Sequence, residues 1–260
     1  MDVLQYDEEA TRKLLAVYVT PDVAAQRDAF VAALAPQPGE RVLDIGAGPG
    51  LLAGQIADAV GAGGEVCAVD VSGPLLAAAR AHNAARPQLR IVEGDARRLP
   101  LPDAGFDAAV STQVLEYVDD VDAALAEMRR VLRPGGRVLV VDTDWDSMVW
   151  MAPDPARHAR VMAAWAAHAA DVHLPRTLAR RLERAGFALR EVQVLPLLNA
   201  EHREASYSHR IVPLIADYVA LAGGAAAADA RAWADDMHAQ AAGGAWFFSL
   251  NRYLFRAERR

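Results

Sequence analysis

Apolar and polar positions along this chain follow two periods. Short apolar runs of strand length alternate with longer stretches in which apolar residues return every three or four positions. From residue 41 to Val141 the two kinds take turns, which predicts βαβ units and a parallel sheet. The first strand is predicted at residues 41–44 and the helix after it at 51–60. Two helices are predicted ahead of it, at 11–19 and 22–35; Pro21 sits where a helix can start, and Pro36-Gln37-Pro38-Gly39 closes the second. Ser72 offers an N-cap to a helix at 74–85, with Pro74 in its first turn. Asp119 or Asp120 does the same at 121–132, and Pro134-Gly135-Gly136 stops that helix. Further helices are predicted at 153–171, 176–185, 207–221 and 228–239, with strands at 189–198 and 246–255.

The junction between the first strand and its helix carries the chemistry. Arg41-Val42-Leu43-Asp44-Ile45 runs into Gly46-Ala47-Gly48-Pro49-Gly50. A strand, a glycine turn and a helix N-terminus together make a nucleotide-sized site with N–H groups facing it. Dinucleotide folds want G-x-G-x-x-G. Here the third glycine comes one residue early and Leu51 takes the sixth position. Asp44, two residues ahead of Gly46, would repel a pyrophosphate and suits a ligand with a positive end.

Four more blocks follow in order: Val66-Cys67-Ala68-Val69-Asp70-Val71-Ser72, Val92-Glu93-Gly94-Asp95-Ala96, Phe106-Asp107-Ala108-Ala109-Val110-Ser111-Thr112-Gln113 and Leu132-Arg133-Pro134-Gly135-Gly136-Arg137-Val138-Leu139. With these five blocks the chain resembles the class I S-adenosylmethionine-dependent methyltransferases, and most of all their small-molecule branch, which includes quinone-biosynthesis enzymes. The resemblance covers about residues 41–146 and is loose beyond them. It implies an α/β, Rossmann-like fold: a seven-stranded, mostly parallel sheet, the last strand antiparallel, with helices on both faces. The helices at 207–239 then become an insertion between the last two strands, a lid at about 205–242. One methyltransferase domain is expected over 1–260: N-terminal helices at 1–40, a cofactor-binding core at 41–146 and a substrate-selecting part at 147–260. The implied activity is transfer of a methyl group from S-adenosylmethionine to a small-molecule acceptor, leaving S-adenosylhomocysteine. Two alternatives compete. A non-enzymatic S-adenosylmethionine-binding regulator or assembly partner would keep the glycine loop; a nicotinamide-dependent oxidoreductase is opposed by the glycine spacing and Asp44.

The resemblance also assigns residues. Gly46, Ala47, Gly48 and Gly50 would form the cofactor loop, with Asp44 accepting from the methionine amino group, directly or through water. Asp70, with Val71 beside it, would bind the ribose hydroxyls. Gly94, Asp95 and Ala96 would hold the adenine. Gln113 would face the methyl group or the cofactor carboxylate, and Tyr18 and Arg27 would close over the cofactor. Family members often carry a histidine shortly after a Leu-Glu pair; here Leu115-Glu116 is followed by Tyr117, so no base is assigned there. Trp145, Tyr207 and His209 are the expected acceptor-binding residues, and His209, Tyr207 and Asp144 the candidates for catalysis. Asp142, Asp144 and Asp146 would share a strand face. They begin like a calcium loop, but Ser147 and Pro153 stand where it needs glycine and glutamate. Magnesium-dependent catechol methyltransferases carry acids where this chain has Ser111-Thr112-Gln113, so no metal is expected.

Composition narrows the partners. The chain has 260 residues, 53% of them hydrophobic, and a formal net charge of −7. That is ample for a core and argues against a nucleic-acid partner, whose phosphates need a basic face. The single cysteine, Cys67, excludes an internal disulfide and fits a reducing compartment. The acidic start, with Asp7, Glu8 and Glu9, is unlike a signal peptide, and no apolar stretch approaches the ~20 residues of a bilayer span. The expectation is a cytoplasmic protein without a membrane partner; a homodimer stays open. Tryptophans and tyrosines gather in the second half, where two or three could clamp a planar acceptor.

Overall fold

The computed structural model describes residues 8–260; the acidic start at residues 1–7 lies outside the described residues. Two helices, α1 (Glu8–Tyr18) and α2 (Pro21–Leu34), precede strand β1 (Arg41–Ile45). Then come α3 (Leu51–Val60), β2 (Glu65–Asp70), α4 (Gly73–His82), β3 (Leu89–Glu93), β4 (Phe106–Thr112), α5 (Val121–Val131) and β5 (Leu132–Trp150). The second half holds α6 (Pro155–Trp165), α7 (Pro175–Arg184), β6 (Phe187–Asn199), α8 (Tyr207–Ala222), α9 (Ala227–Ala242) and β7 (Phe248–Arg259). The expected caps are in place: Ser72 accepts from Leu75 N–H and Asp120 from Ala123 N–H.

The seven strands form one sheet in the order β3-β2-β1-β4-β5-β7-β6. All are parallel except β7, which runs antiparallel between β5 and β6. Alternation sends successive strand residues to opposite faces. Leu43, Ile45, Cys67 and Val69 meet α5 and α7 through Leu125, Met128, Leu178 and Leu182. Val42, Val66, Ala68 and Val110 meet α2 and α3 through Phe30, Leu34, Ile56 and Val60. Both faces are covered, so the central strands are apolar throughout rather than alternating. A third cluster stands beyond the strand ends, where α8 and α9 pack on α6 through Trp165, Ile215, Val219, Trp233 and Met237. The inserted helices therefore have a hydrophobic core of their own, continuous with Trp150, Trp246 and Phe248.

Three boundaries differ from the sequence expectation. The helix expected to reach residue 171 ends at Trp165, and a single 3₁₀ turn, Ala166–His168, follows. The last strand runs on to Arg259 because its charged end is paired across the sheet, Arg256 with Glu191 and Glu258 with Arg190. The β5–β7 ladder breaks after Asp144 and resumes at Val149. In that gap Trp145 N–H donates to the carbonyl of Val172, and Ser147 Oγ takes the N–H of Asn251. Such an interruption re-aims the side chains it contains.

Candidate active site

A cavity of about 980 Å³ opens at the carboxyl ends of the strands, the place where open α/β sheets bind ligands. It lies at the upper end of the ~300–1,000 Å³ usual for ligand pockets. One end is built by the β1–α3 loop, the tip of β2 and the turn after β3: Gly46, Ala47, Gly48, Asp70, Val71, Gly94, Asp95 and Ala96. The other end is aromatic, with Tyr117, Trp145, Trp165, Tyr207 and Tyr218. Tyr18 of α1, Arg27 of α2 and Gln113 after β4 also line it.

The glycine loop has the shape a ligand needs. Gly46 takes φ +68°, and a Cβ there would come within 2.2 Å of the Val114 side chain. Gly48 takes φ +52°, and a Cβ there would meet nothing within 4 Å, so its backbone faces open cavity. Its N–H donates to Asp70 Oδ2 at 2.8 Å, and Ser72 N–H donates to Asp70 Oδ1 at 2.9 Å. Asp70 thus ties the tips of β1 and β2 together. Burial pushes its carboxyl up, and these backbone donors pull the other way.

Gln113 holds a left-handed backbone, φ +58°, which side-chain-bearing residues adopt at a cost of order 1–3 kcal/mol. Its Oε1 accepts from Thr143 Oγ at 2.8 Å, while its buried Nε2 has no partner. Arg27 donates to the carbonyl of Tyr18, and its buried Nε is also partnerless. Asp95 is held by Arg97 at 2.6 Å, and that guanidinium lowers the pKa of the carboxyl.

Four of the expected site residues lie outside the cavity lining. Asp44 is buried beside the first turn of α3 and takes the N–H of Ala53; its Oδ2 has no partner, and burial, reinforced by Asp70, pushes its carboxyl up to about 7. Gly50 serves packing instead of the ligand wall: a Cβ would meet Asn83 and Ala79 of α4 within 3 Å, and its carbonyl takes Asn83 Nδ2. Asp144 turns away from the cavity because strand neighbours face opposite sides and Trp145 faces in. Its carboxylate takes a two-pronged bond from Arg176, at 2.8 and 2.9 Å. That corrects its candidacy for catalysis. His209 is corrected for a similar reason. The cavity face of α8 is Tyr207, Ile211, Leu214 and Tyr218, spaced four, three and four residues apart. His209 falls on the other side, with its Nδ1 2.9 Å from His202 Nε2 and His238 nearby.

The structure also brings to the site residues to which the sequence reading assigns no role there. His168 is buried, stacked on Trp165 with centroids 3.8 Å apart and set edge-on to Trp145 at 4.5 Å. Its Nδ1 lies 2.6 Å from the Trp165 carbonyl, so the proton sits there and Nε2 is left an unpartnered acceptor. Burial lowers its pKa to about 4, so it is neutral at physiological pH. Glu116 and Asp142 form a fully buried acid pair: Asp142 takes the N–H groups of Val114 and Glu116, and Glu116 takes that of Thr143. Burial pushes both up, Glu116 to about 7. Arg252 of β7 lines the cavity as well. A signal for it existed in the alternation: Phe248, Leu250, Arg252 and Leu254 all point inward, and only one of them is charged.

Comparison with known proteins agrees with this geometry. A family profile described as a methyltransferase domain matches residues 43–140. An uncharacterized methyltransferase of Mycobacterium tuberculosis is 34% identical over 156 residues, which span 57% of this chain and 76% of that protein. The demethylmenaquinone methyltransferase of Beutenbergia cavernae is 42% identical over 116 residues, spanning 45% of this chain and 46% of that enzyme. Among solved structures, the Haemonchus contortus phosphoethanolamine N-methyltransferase 2 in complex with S-adenosyl-L-methionine aligns with a TM-score of 0.64 at 19% identity, over 98% of this chain and 58% of that one. A Rossmann-like sheet with a glycine-lined cavity at its strand ends defines a nucleotide-binding class of α/β protein. The chain belongs to the class I S-adenosylmethionine-dependent methyltransferases. The quinone-biosynthesis relative is matched over less than half its length, so its acceptor does not come with the family.

Proposed function

We propose that this enzyme methylates a small, planar molecule held at the aromatic end of the cavity, and that residues 1–260 act as one catalytic unit. The observation that carries this reading is the continuity of one cavity from the Gly46–Gly48 loop to the wall of Trp145, Trp165, Tyr207 and Tyr218. When bound, S-adenosylmethionine supplies a methyl already made electrophilic by its sulfonium. The chain's task is to hold two ligands in line and keep water out. Positioning of this kind is worth up to ~7–11 kcal/mol of the barrier.

The proposed division of labour follows the donors and acceptors. Asp70 faces the cavity and would take the ribose hydroxyls. Gly46, Ala47 and Gly48 bring backbone against the ligand, with Val71, Gly94 and Ala96 flanking the base. Asp95 would reach the adenine amine only by sharing its carboxylate with Arg97. The orphaned Nε2 of Gln113 and Nε of Arg27 are the free donors for the cofactor's carboxylate end, where Tyr18 closes the wall. The orphaned Oδ2 of Asp44 answers the amino group from beneath the loop. No metal enters this reading. Asp144, Asp146 and His173 stand close enough together to share an ion, but the Arg176 guanidinium is bonded to both acids. Among the described residues no helix is long and apolar enough to cross a membrane.

Two expected results test it. S-adenosylhomocysteine at 100 times its dissociation constant should raise stability by ~2.7 kcal/mol in a thermal-shift titration, and NADH should not. With methyl-labelled S-adenosylmethionine and a metabolite extract, label should appear in a small molecule by mass spectrometry; label found only in protein or RNA would overturn the acceptor class.

Asp44 adds a pH signature. Its carboxyl stays protonated up to about pH 7 in the free protein, whereas a cationic amino group needs the carboxylate. Binding must therefore release a proton below that pH. Affinity for S-adenosylhomocysteine is expected to fall as pH drops from 7 towards 5.5, by at most ~10-fold per unit. Asp44→Asn should flatten that profile in calorimetry; an unchanged profile would remove Asp44 from the site.

A further inference from the structure

Arg252 and Arg27 are the two cavity-lining arginines, among the described residues, that no carboxylate pairs with directly. Arg97 is paired with Asp95. Arg27 is half-buried and lies towards the cofactor end. Arg252 is 4% exposed, on an inward position of β7. Its Nη1 donates to Gln26 Oε1 at 2.7 Å, and its guanidinium lies 5.4 Å from the centre of the Tyr207 ring. Its Nε is buried without a partner, and no carboxylate among the described residues forms an ion pair with it. A buried guanidinium left this way is costly, because the charge has lost its water and gained no counter-charge.

The acid that acts on Arg252 through space is Glu116. Glu116 shares its buried position with Asp142, and each makes ionisation of the other harder. The pair therefore holds protons near neutrality and does not supply two full negative charges. Tyr18 and Tyr207, the phenols beside the guanidinium, are pushed up by burial and stay neutral. Arg252 thus sits in an aromatic box with no carboxylate bonded to it, and the acid nearest in effect, Glu116, keeps its proton up to about pH 7.

Position tells which ligand would answer it. In the sheet, β4 and β5 separate β7 from β1. Three strand spacings, ~14 Å, separate β7 from β1, and Arg252 stands opposite Thr143, whose hydroxyl donates to Gln113. Gln113 and Arg27 already offer orphaned donors nearer the loop.

We propose that Arg252 holds a carboxylate on the acceptor, so that the substrate is a planar, aromatic acid and not a neutral ring. The assignment rests on reading the aromatic end of the cavity as the acceptor site. Arginine suits this task because its planar fork matches a carboxylate with two parallel bonds. Tyr207, already against the guanidinium, and Trp145 and Trp165 supply the faces for the ring.

The test is binding of benzoate, cinnamate and 2-naphthoate, each against its neutral amide, with and without saturating S-adenosylhomocysteine. The wild type is expected to bind at least one acid tenfold more tightly than its amide. Arg252→Gln should reduce that preference below threefold, and Arg252→Lys should keep part of it. Both variants should bind S-adenosylhomocysteine within threefold of wild type. The proposal is overturned if no acid binds, if amides bind equally well, or if the preference survives Arg252→Gln. It is equally overturned if 2-naphthyl phosphate binds tenfold more tightly than the acid, or if Arg252→Gln weakens S-adenosylhomocysteine tenfold, which would give the arginine to the cofactor. The wild-type acid-to-amide ratio decides the matter should Arg252→Gln not fold. Failure of S-adenosylhomocysteine to bind the wild type would instead strike the cofactor reading itself.

Discussion

Asp70→Ala is expected to weaken S-adenosylhomocysteine binding by at least tenfold. The carboxylate is 9% exposed and faces the cavity from the tip of β2. In the proposed role it is a charged acceptor for two hydroxyls, and bonds of that kind contribute ~1.5–3 kcal/mol. Tenfold corresponds to ~1.4 kcal/mol, so the loss should reach or exceed it. The structure adds a second reason. Asp70 also receives Gly48 N–H and Ser72 N–H, so its removal frees the glycine loop from β2 and leaves two donors without their acceptor. Asp70→Asn keeps the shape and loses the charge, and should fall between wild type and Asp70→Ala. Calorimetry on variants shown to be folded by circular dichroism decides the matter; unchanged affinity in Asp70→Ala would take this residue out of the cofactor site.

Loss of the aromatic wall is expected to separate acceptor turnover from cofactor binding. Trp145→Ala and Tyr207→Ala should each lower turnover of the acceptor found by labelled transfer at least tenfold. Affinity for S-adenosylhomocysteine should stay within threefold, since neither side chain belongs to the glycine-loop end of the cavity. Both residues are buried, and emptying such a site typically destabilises by ~3–5 kcal/mol, so melting temperatures should fall as well. Trp145→Phe and Tyr207→Phe retain most of the volume and keep the test readable. His209→Ala is the internal control. On the far face of α8 it touches His202 and His238, not the cavity, and full turnover is expected. If His209→Ala abolishes turnover while the two aromatic variants do not, the phase assigned to α8 is wrong.

The two predictions divide along the line between local and long-range information. The cofactor end was legible because its signals are short. Asp44 to Gly50 is one strand end and one turn, and Asp70 and Gly94 end the next two strands in the same register. Strand length, glycine conformational freedom and N-caps such as Ser72 and Asp120 act over a few residues, so pattern alone places them. The fold class followed from the same source, since alternating strands and helices have few ways to cover both faces of a parallel sheet.

The aromatic end of the cavity, proposed for the acceptor, was less legible. The insertion between the last two strands was expected from the family resemblance, yet which face of α8 meets the cavity depends on its packing against α9 and α6. Hence Tyr207 points in and His209, two residues on, points out. Asp144 and Trp145 are neighbours in sequence, and Arg176, 32 positions from Asp144, decides what the acid does. Gly50 looks like loop glycine but is required by the approach of Asn83, 33 positions away. Arg252 meets Gln26 across 226 residues of chain, only because β7 inserts between β5 and β6 and α2 packs along that face of the sheet. By itself, then, the sequence determined the class of enzyme, the order of its elements and the end of the sheet where the cofactor belongs. Only the tertiary structure decided which side chains share the aromatic end of the cavity, because burial, counter-charge and orientation there are set by partners the chain brings together from its two ends.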